Sequence, residues 1–532
     1  MAKNIINWLN LRLLIVFLLA IGIFFRFYHL DNKVYWHDEV YTSIRTAGYS
    51  GQKIIDNTFN GTIIKPQEIL KYQKVSPTKT WQDSLDRLIE HPEHPPLYYL
   101  LSRLWQLLFG SSIAATRSLS AVFSLLLFPL LYWLCWELFN SKTVGWYAIA
   151  IVAVSPVQVL YAQEAREYSL LLVTTALSYI SLIGAVKRNN FRWWLFYAVS
   201  LASNFYVSLI GGYVAIAQLV YIIILEKFRL TKITINFILS GIFSLLLFAP
   251  WLGVIYTNWS ILQAKTNWTK VSFPFVELLR YWELHLSSIF IDLHPTVNGY
   301  IAVRVAGFLF IFLCICYRFV CLKAKPQIWL LLGTMIIVPA AILIVPDVIN
   351  GGIKSIMTRY FLPSILGIQI VVAYWLSNIS KAQNWQNLTR SIIMGSIILF
   401  GIISCTISAQ STTWWNKVVG YHNFKIAAII NRYPQPLLIV NPEGGNGKYG
   451  IKVGDVISLN HLLDNNVSLL LSENQNIPPV DFKPYSDVLF WNIQEESRIK
   501  FQNAHNSELE MIEEDYYPPL WRMKTPATKQ KH

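Results

Sequence analysis

The chain is organised by two neighbouring stretches, Leu11-Arg-Leu-Leu-Ile-Val-Phe-Leu-Leu-Ala-Ile-Gly-Ile-Phe-Phe-Arg-Phe27 and Val34-Tyr-Trp-His-Asp-Glu-Val-Tyr-Thr42. The first is an apolar run of the length that crosses a bilayer as a helix. The second places Asp38 and Glu39 among aromatic residues where the chain is expected to leave the membrane. Charge is costly there, so the pair indicates a functional site. The alternative is a helix start, which acidic residues also favour.

Composition predicts a membrane protein. Of 532 residues, 54% are hydrophobic and only 14% are charged. Apolar runs recur to residue 407, and we predict about eleven transmembrane helices from their lengths. The predicted spans cover residues 11–27, 114–138, 144–160, 168–186, 193–206, 209–225, 233–256, 300–321, 328–345, 360–376 and 391–407.

The net charge of +14 does not indicate nucleic-acid binding, because its placement follows the membrane. Basic residues cluster in connections on alternate sides of successive apolar runs, which is the positive-inside pattern. It puts the N-terminus in the cytoplasm and, after eleven spans, the C-terminal segment outside. The five cysteines lie in or at the ends of apolar runs and have neither disulfide nor metal-site spacing.

Two long connections are expected on the outer face. Residues 41–112 and 257–298 are largely polar, but Thr80–Ile89 and Val276–Leu286 carry apolar residues at helical spacing. We predict that these short helices lie in the membrane interface. Within the first connection, the prolines around His94 fix the backbone just before an aromatic helix.

Two further charged clusters fall on the same predicted face. Glu164, Arg166 and Glu167 lie in a short loop between apolar helices, and Lys354 and Arg359 precede the tenth span. The alternative for the first cluster is a solvated loop salt bridge, which would contribute only about 0 to 1 kcal/mol to the stability of the protein. Ionisable groups at a membrane boundary nevertheless favour a site.

The composition changes near residue 410. We predict a membrane domain over 1–409 and a small α/β domain over 410–532, with a helix at 426–430 and strands at Pro436–Val440 and Val488–Asn492. The run Gly444-Gly-Asn-Gly447 is interpreted as a turn. The predicted fold class is therefore an all-α polytopic membrane protein with outer interfacial helices and a small C-terminal α/β domain.

The charges on the outer face suit opposite chemical tasks. A carboxylate can accept a proton from an incoming hydroxyl, whereas arginines can bind a phosphate with their planar fork. A lipid-phosphate-linked sugar needs both, since its tail can lie between helices while its phosphate leaves at the interface.

An ordered set of motifs carries a family resemblance. They are Asp38-Glu39, His94-Pro-Pro-Leu-Tyr-Tyr99, Arg117, Gln163-Glu-Ala-Arg-Glu-Tyr168 and Arg359-Tyr-Phe-Leu-Pro363. With them the chain resembles the polytopic GT-C glycosyltransferases, the group that includes protein O-mannosyltransferases, the aminoarabinose transferase of lipid A and the RgtA/B/C/D-like enzymes. Glu167 departs from this pattern, since relatives often have a proline or a small residue there.

The resemblance implies an inverting transfer of a hexosyl or pentosyl group from a polyprenyl-phosphate donor to a glycolipid, polysaccharide or protein on the outer face of the plasma membrane. Asp38 would be the general base, with Glu39 and Glu164 orienting sugar or acceptor. The donor phosphate would be bound by Arg166, Lys354 and Arg359, with Arg304 as a further candidate. Substrate contacts would come from His94, Tyr168 and Tyr360. No cofactor is fixed by the sequence, and relatives differ over divalent metal use.

Two other functions are compatible with outer-face charges. A transporter or flippase of lipid-linked saccharides would also need them, but no internal repeat or matching pair of broken helices is evident. A non-catalytic membrane scaffold would leave most of the loop charges without a role.

Overall fold

The structure is a computed structural model that describes residues 2–297, 300–378, 384–417, 420–441, 453–472, 479–493, 495–513 and 519–524. Helices dominate the first 410 residues. In chain order they are α1 (Ala2–Phe27), α2 (His37–Ala47), α3 (Gly51–Thr58), α4 (Pro66–Leu70), α5 (Trp81–Ile89), α6 (Leu97–Phe109), α7 (Ile113–Phe139), α8 (Lys142–Ala153), α9 (Pro156–Ala162), α10 (Tyr168–Arg188), α11 (Phe191–Val207), α12 (Gly211–Leu225), α13 (Lys232–Thr257), α14 (Trp259–Thr266), α15 (Phe275–Ser287), α16 (Tyr300–Lys323), α17 (Pro326–Asn350), α18 (Leu362–Asn378) and α19 (Asn384–Gln410).

The remaining elements form a mixed sheet with flanking helices. The helices are α20 (Asn423–Ile430), α21 (Val453–Asn460) and α22 (Glu495–His505), and the strands are β1 (Asn60–Ile64), β2 (Pro436–Val440), β3 (Ser468–Ser472), β4 (Asp487–Trp491), β5 (Leu509–Glu513) and β6 (Leu520–Met523). The strand order is β1-β3-β2-β4-β6-β5. The parallel centre β3-β2-β4 has antiparallel strands on both sides.

The chain divides into two compact units. The first, which we call the membrane unit, comprises Met1–Leu30, Leu88–Ser102 and Ala114–Ser411. The second, the sheet unit, comprises Asp31–Arg87, Arg103–Ile113 and Thr412–His532. The border at 411/412 lies next to the predicted boundary at 409/410. The sheet unit, however, also takes up two early segments that the sequence assigned to the membrane domain. The first contains β1, which pairs with β3, and the second begins at Arg103, which donates to the Thr46 carbonyl oxygen and the Ser84 hydroxyl of the first.

In the part of the chain that the structure describes, seven helices are long and apolar enough to cross a membrane. These spans are Ile113–Phe139, Tyr168–Arg188, Lys232–Thr257, Val305–Lys323, Pro326–Asn350, Thr358–Asn378 and Asn387–Gln410. The α8 and α9 helices together form an eighth candidate, bent by 65°, and Leu13–Phe27 and Gly211–Leu225 are shorter apolar helices. The protein is thus a multi-span membrane protein. Each of the eleven predicted spans coincides with a helix or with the bent pair, while the number that cross the membrane stays a prediction.

Local predictions outside the spans can be compared directly. The helices predicted near residues 80–89 and 276–286 are present as α5 and α15, and the two strands are confirmed as β2 and β4. The helix predicted at 426–430 is the second half of α20. The Gly444–Gly447 turn lies outside the described residues.

Candidate active site

A broken helix positions the acidic loop of the membrane unit, by which we mean residues 163–167 between α9 and α10. Pro156 is the first residue of α9 and has no N–H to donate, and Ser155 before it is extended at φ −68° and ψ 121°. The helical hydrogen-bond pattern therefore stops between α8 and α9, and the two axes differ by 65°. Carbonyl groups at the end of α8 are left without their helical donors.

A buried arginine satisfies these carbonyls. Arg26, only 1% exposed, donates through Nη1 to the carbonyl oxygen of Ala153 (2.8 Å) and through Nη2 to that of Val152 (3.0 Å). The thiol of Cys405 lies 3.6 Å from the next carbonyl oxygen, that of Val154. Gly22 allows α1 to approach, because a Cβ there would collide with the Ala153 carbonyl. The C-terminal end of α1 thus holds the bend in place.

The loop after α9 carries the predicted acid and arginine. Gln163 Nε2 donates to the carbonyl oxygen of Phe25 at 2.7 Å, which ties the loop to α1. Glu164 and Arg166 are both buried. Arg166 donates to the Tyr99 hydroxyl and to the Glu167 carboxylate, at 3.2 Å in each case. Burial removes water from these charges and strengthens their mutual interactions.

The proline-rich segment before α6 meets the same loop. The His94 ring lies 5.6 Å from the Tyr99 ring, and the Arg166 guanidinium lies 5.7 Å from the Tyr168 ring. His94 Nε2 is 3.7 Å from Glu93 Oε1. The structure therefore brings together three predicted residues, His94, Arg166 and Tyr168, through a tyrosine that was quoted only as part of a motif.

Arg117, a motif residue at the start of the second span, has a structural environment. It is buried, and its Nη1 donates to the carbonyl oxygen of Leu30 at 2.7 Å. This contact holds the turn that follows α1.

The basic segment, residues 351–361 between α17 and α18, carries Lys354 and Arg359. It is held by side chains that were not predicted as site residues. Asp347 Oδ2 accepts the Ser355 N–H at 2.6 Å, and His285 Nε2 donates to the Ile356 carbonyl oxygen at 3.0 Å. Burial lowers the pKa of His285 to about 4, so the ring is neutral at neutral pH. Gly352 permits the close approach, because a Cβ there would collide with the Asp347 carboxylate. The sequence signal that could have identified Asp347 is its position as a carboxylate near the end of the apolar helix α17.

Arg359 and Glu164 come near one another around one tyrosine. The Tyr161 hydroxyl interacts electrostatically with both side chains and approaches the Arg359 backbone. Arg359 is half-buried, with its guanidinium 5.5 Å from the Tyr360 ring, whereas Lys354 is exposed. The side chain of Arg304 is outside the part of the chain that the structure describes. The acidic loop and the basic segment, distant in sequence, thus face one region of the membrane unit.

An apolar cavity of about 450 Å³ lies beside the basic segment. Its walls come from α15, α16, α17 and α18, and Phe361 and His285 line it next to the segment that carries Arg359. Most of the lining side chains are aliphatic or aromatic. A hydrocarbon chain suits such walls.

In the sheet unit, the two predicted acids have different surroundings. They are the second and third residues of α2, which ends at Gly48 with φ +85°. Asp38 is half-buried. Glu39 is fully buried, and its Oε2 accepts the Trp36 N–H at 3.5 Å as part of a capping box and lies 3.4 Å from Lys417 Nζ. Glu39 therefore has the environment that the helix-start alternative describes. This environment differs from the predicted contact of Glu39 with sugar or acceptor.

A second pair joins α2 to α21. His37 Nδ1 lies 2.8 Å from Asp455 Oδ1, and the Tyr41 ring lies 4.8 Å from the His37 ring. Burial, with Asp455 nearby, raises the pKa of Tyr41 to about 12. Lys417 and Asp455 were not predicted as site residues, since no local pattern links either of them to residues 37–39.

Metal ligation was left undecided by the sequence. Within the described ranges, no group of three or more His, Cys, Asp or Glu side chains is placed to hold a metal ion. This observation does not test divalent metal use, over which the relatives named by the resemblance differ.

Comparisons with known proteins place this geometry in context. The family model described as dolichyl-phosphate-mannose-protein mannosyltransferase matches residues 93–253, which include the His94 segment and the acidic loop. No curated protein matches the chain in sequence at a significant level.

Solved structures match over nearly the whole chain. ArnT from Cupriavidus metallidurans in the apo state has 11% identity and a TM-score of 0.53, covering 98% of each chain. The same enzyme bound to undecaprenyl phosphate has 11% identity and a TM-score of 0.49, covering 96% of this chain and 98% of that one. The apo oligosaccharyltransferase of Archaeoglobus fulgidus has 12% identity and a TM-score of 0.49, covering 87% of this chain and 64% of that one.

These comparisons confirm the resemblance to GT-C proteins that the motifs indicated. The chain has the fold of apo ArnT, and its residues 93–253 match a mannosyltransferase family model. Together they support a membrane glycosyltransferase of the GT-C type.

Proposed function

We propose that this protein transfers a hexosyl or pentosyl group from a polyprenyl-phosphate donor to an acceptor on the outer face of the plasma membrane. The acceptor classes are a glycolipid, a polysaccharide or a protein. The family model matched at residues 93–253 describes enzymes that use a dolichyl-phosphate sugar, which supports a lipid-phosphate donor.

The observation that carries the proposal is the apolar cavity next to the basic segment. The cavity offers about 450 Å³ for a hydrocarbon chain, and Phe361 on its wall is two residues from Arg359. A polyprenyl phosphate has this same arrangement of an apolar tail joined to an anionic head. Arg359 and Lys354 would bind the phosphate, with Arg166 and Arg304 as further cationic contacts.

The chemical step follows from the charges. The acceptor hydroxyl oxygen forms a bond to the anomeric carbon from the side opposite the leaving group, and the bond from that carbon to the phosphate oxygen breaks. The hydroxyl proton goes to Asp38, and the polyprenyl phosphate leaves with an additional negative charge that Arg359 stabilises. Displacement from the opposite side inverts the anomeric configuration. Glu164, His94, Tyr168 and Tyr360 would orient sugar and acceptor.

The test is transfer by the purified full-length protein in lipid nanodiscs. Polyprenyl phosphates carrying radiolabelled hexoses or pentoses are supplied with envelope glycolipids, polysaccharides or proteins. We expect release of free polyprenyl phosphate and label in one acceptor fraction, with inverted anomeric configuration. A divalent chelator added in parallel tests metal dependence.

The same experiment separates the alternatives. A transporter or flippase would move the labelled lipid between leaflets of a vesicle without breaking the sugar–phosphate bond. A scaffold would do neither. Movement without release across the full donor panel would contradict the proposed transfer.

A further inference from the structure

A buried ion pair fixes the first turn of α2. Lys417 Nζ lies 3.4 Å from Glu39 Oε2, and the two side chains are 1% and 0% exposed. The ammonium also lies 5.2 Å from the centre of the Trp36 ring, within the range of a cation–π interaction. Both charges are thus removed from water, and the pairing offsets part of the cost of burying them.

The backbone around this pair is also joined. The Val34 N–H donates to the Thr412 carbonyl oxygen at 2.8 Å, and the Lys417 N–H donates to the Trp414 carbonyl oxygen at 2.9 Å. Trp414 is fully buried. The segment 412–417 therefore holds residues 34–39 at two levels, through the backbone before α2 and through the ion pair inside its first turn.

The pair is one of the contacts that set which way Asp38 faces. Successive side chains on an α-helix point about 100° apart, because a turn contains about 3.6 residues. Lys417 and the Trp36 N–H hold Glu39 inward at the first turn, and Val40 and Ile44 are buried further along the helix. Together these contacts set the rotation of α2 about its axis, and with it the direction of the half-buried Asp38.

We propose that Lys417 is a positioning residue for Asp38 and acts on it through Glu39. This inference rests on the proposed function, in which Asp38 is the general base. Lys417 also neutralises Glu39, so that Asp38 ionises beside a neutral pair and not beside a second carboxylate. Lys417 itself does not contact the reacting atoms in this proposal.

The test uses the purified full chain and the polyprenyl-phosphate sugar found active with the parent protein. The variants are Lys417→Met, Glu39→Gln and the double variant Glu39→Gln/Lys417→Met. Arg522→Met is the matched control, because it breaks another ion pair of the sheet unit, Arg522 with Asp487 at 2.6 Å, on the sheet. For each variant we measure kcat per folded protein, the donor KM, the pH profile and the melting temperature.

We expect Lys417→Met to lower kcat about 100-fold, the size of effect that a misplaced catalytic group produces, with a donor KM within about twofold of the parent value. The acidic limb of its pH profile shifts to higher pH, because the positive charge that offsets the Glu39 carboxylate beside Asp38 has been removed. The double variant removes both charges of the pair together, so we expect a smaller loss of about tenfold and a parental pH profile. Arg522→Met lowers the melting temperature and leaves kcat unchanged.

Three results overturn the inference while leaving the proposed function intact. One is parental kcat in folded Lys417→Met. If that variant does not fold, parental kcat in the double variant has the same meaning. The third is an equal loss of kcat in Arg522→Met, which would show general destabilisation. An inactive parent protein contradicts the proposed function instead, so the two failures are distinguishable.

Discussion

The acidic loop of the membrane unit and the start of α2 in the sheet unit both pair acids with bases, yet they use burial differently. In the loop, Glu164 and Arg166 are buried together, and Arg166 contacts Tyr99 and Glu167. At α2, one acid is buried and paired while its neighbour stays half-buried. Adjacent carboxylates therefore need not share a role, because positions one residue apart on a helix face different environments.

The largest expected effects come from replacing the two acids of α2 separately, which tests whether Asp38 and Glu39 have different roles. We expect Asp38→Asn to lower kcat about 1,000-fold through loss of a general base, with an unchanged melting temperature. We expect Glu39→Gln to lower the free energy of unfolding by about 3 to 5 kcal/mol, because it breaks a buried ion pair by removing one of its two charges. Transfer assays and thermal unfolding on both variants check this. Full activity in folded Asp38→Asn would refute the assignment of the base.

Arg26 tests whether a buried charge in the membrane unit is equally structural. Replacing Arg26 by Met removes donors from the carbonyls of Val152 and Ala153 at the broken helix. We expect a loss of about 3 to 4 kcal/mol, since hydrogen bonds from charged groups contribute about 1.5 to 3 kcal/mol each. Unfolding in detergent measures it, with exposed Arg192→Met as the control. Equal stability of the two variants would contradict the role given to Arg26.

His285 tests a titratable group that the membrane unit keeps neutral. Its pKa is about 4 in the folded protein, against about 6.5 for an unperturbed histidine. Between these values the unfolded state binds more protons, so the stabilisation is complete above pH 6.5 and is lost as pH falls to 4, by about 3 kcal/mol.

The matched variant for this measurement is His285→Gln, which can still donate to the Ile356 carbonyl but does not titrate. Melting temperatures between pH 7 and pH 4 should fall more steeply for the parent than for this variant. Parallel curves would show that other groups cause the acid sensitivity.

Arg359 gives the smallest expected effect and tests a half-buried charge in the membrane unit. We expect Arg359→Ala to raise the donor KM about 10- to 100-fold by removing charge-assisted hydrogen bonds to the phosphate. The acceptor KM should change less than about twofold. Titration of the labelled donor at a fixed acceptor concentration checks this. A change confined to acceptor preference would contradict the proposal that Arg359 binds the donor phosphate.

Much of the fold is visible in local sequence patterns. Apolar length located a helix at each of the eleven predicted spans, and Ser155-Pro156 carries the signal for the break between α8 and α9, although we read that region as one continuous span. Short continuous apolar runs predicted β2 and β4, while the pairing of β1 with β3 has no local signal. Long-range pairing depends on which surfaces pack together, and one sequence does not specify that.

For the candidate site, the sequence alone selected the charged residues, because ionisable groups stand out in an apolar chain. It predicted the helical membrane character and selected Asp38, Glu164 and Arg359 as candidate site residues. Only the tertiary structure decided that Glu39 is buried against Lys417, 378 residues away, and that Tyr161 lies between the acidic and basic segments. The physical reason is that burial and partners arise from packing between distant segments, whereas hydrophobicity and charge belong to each residue.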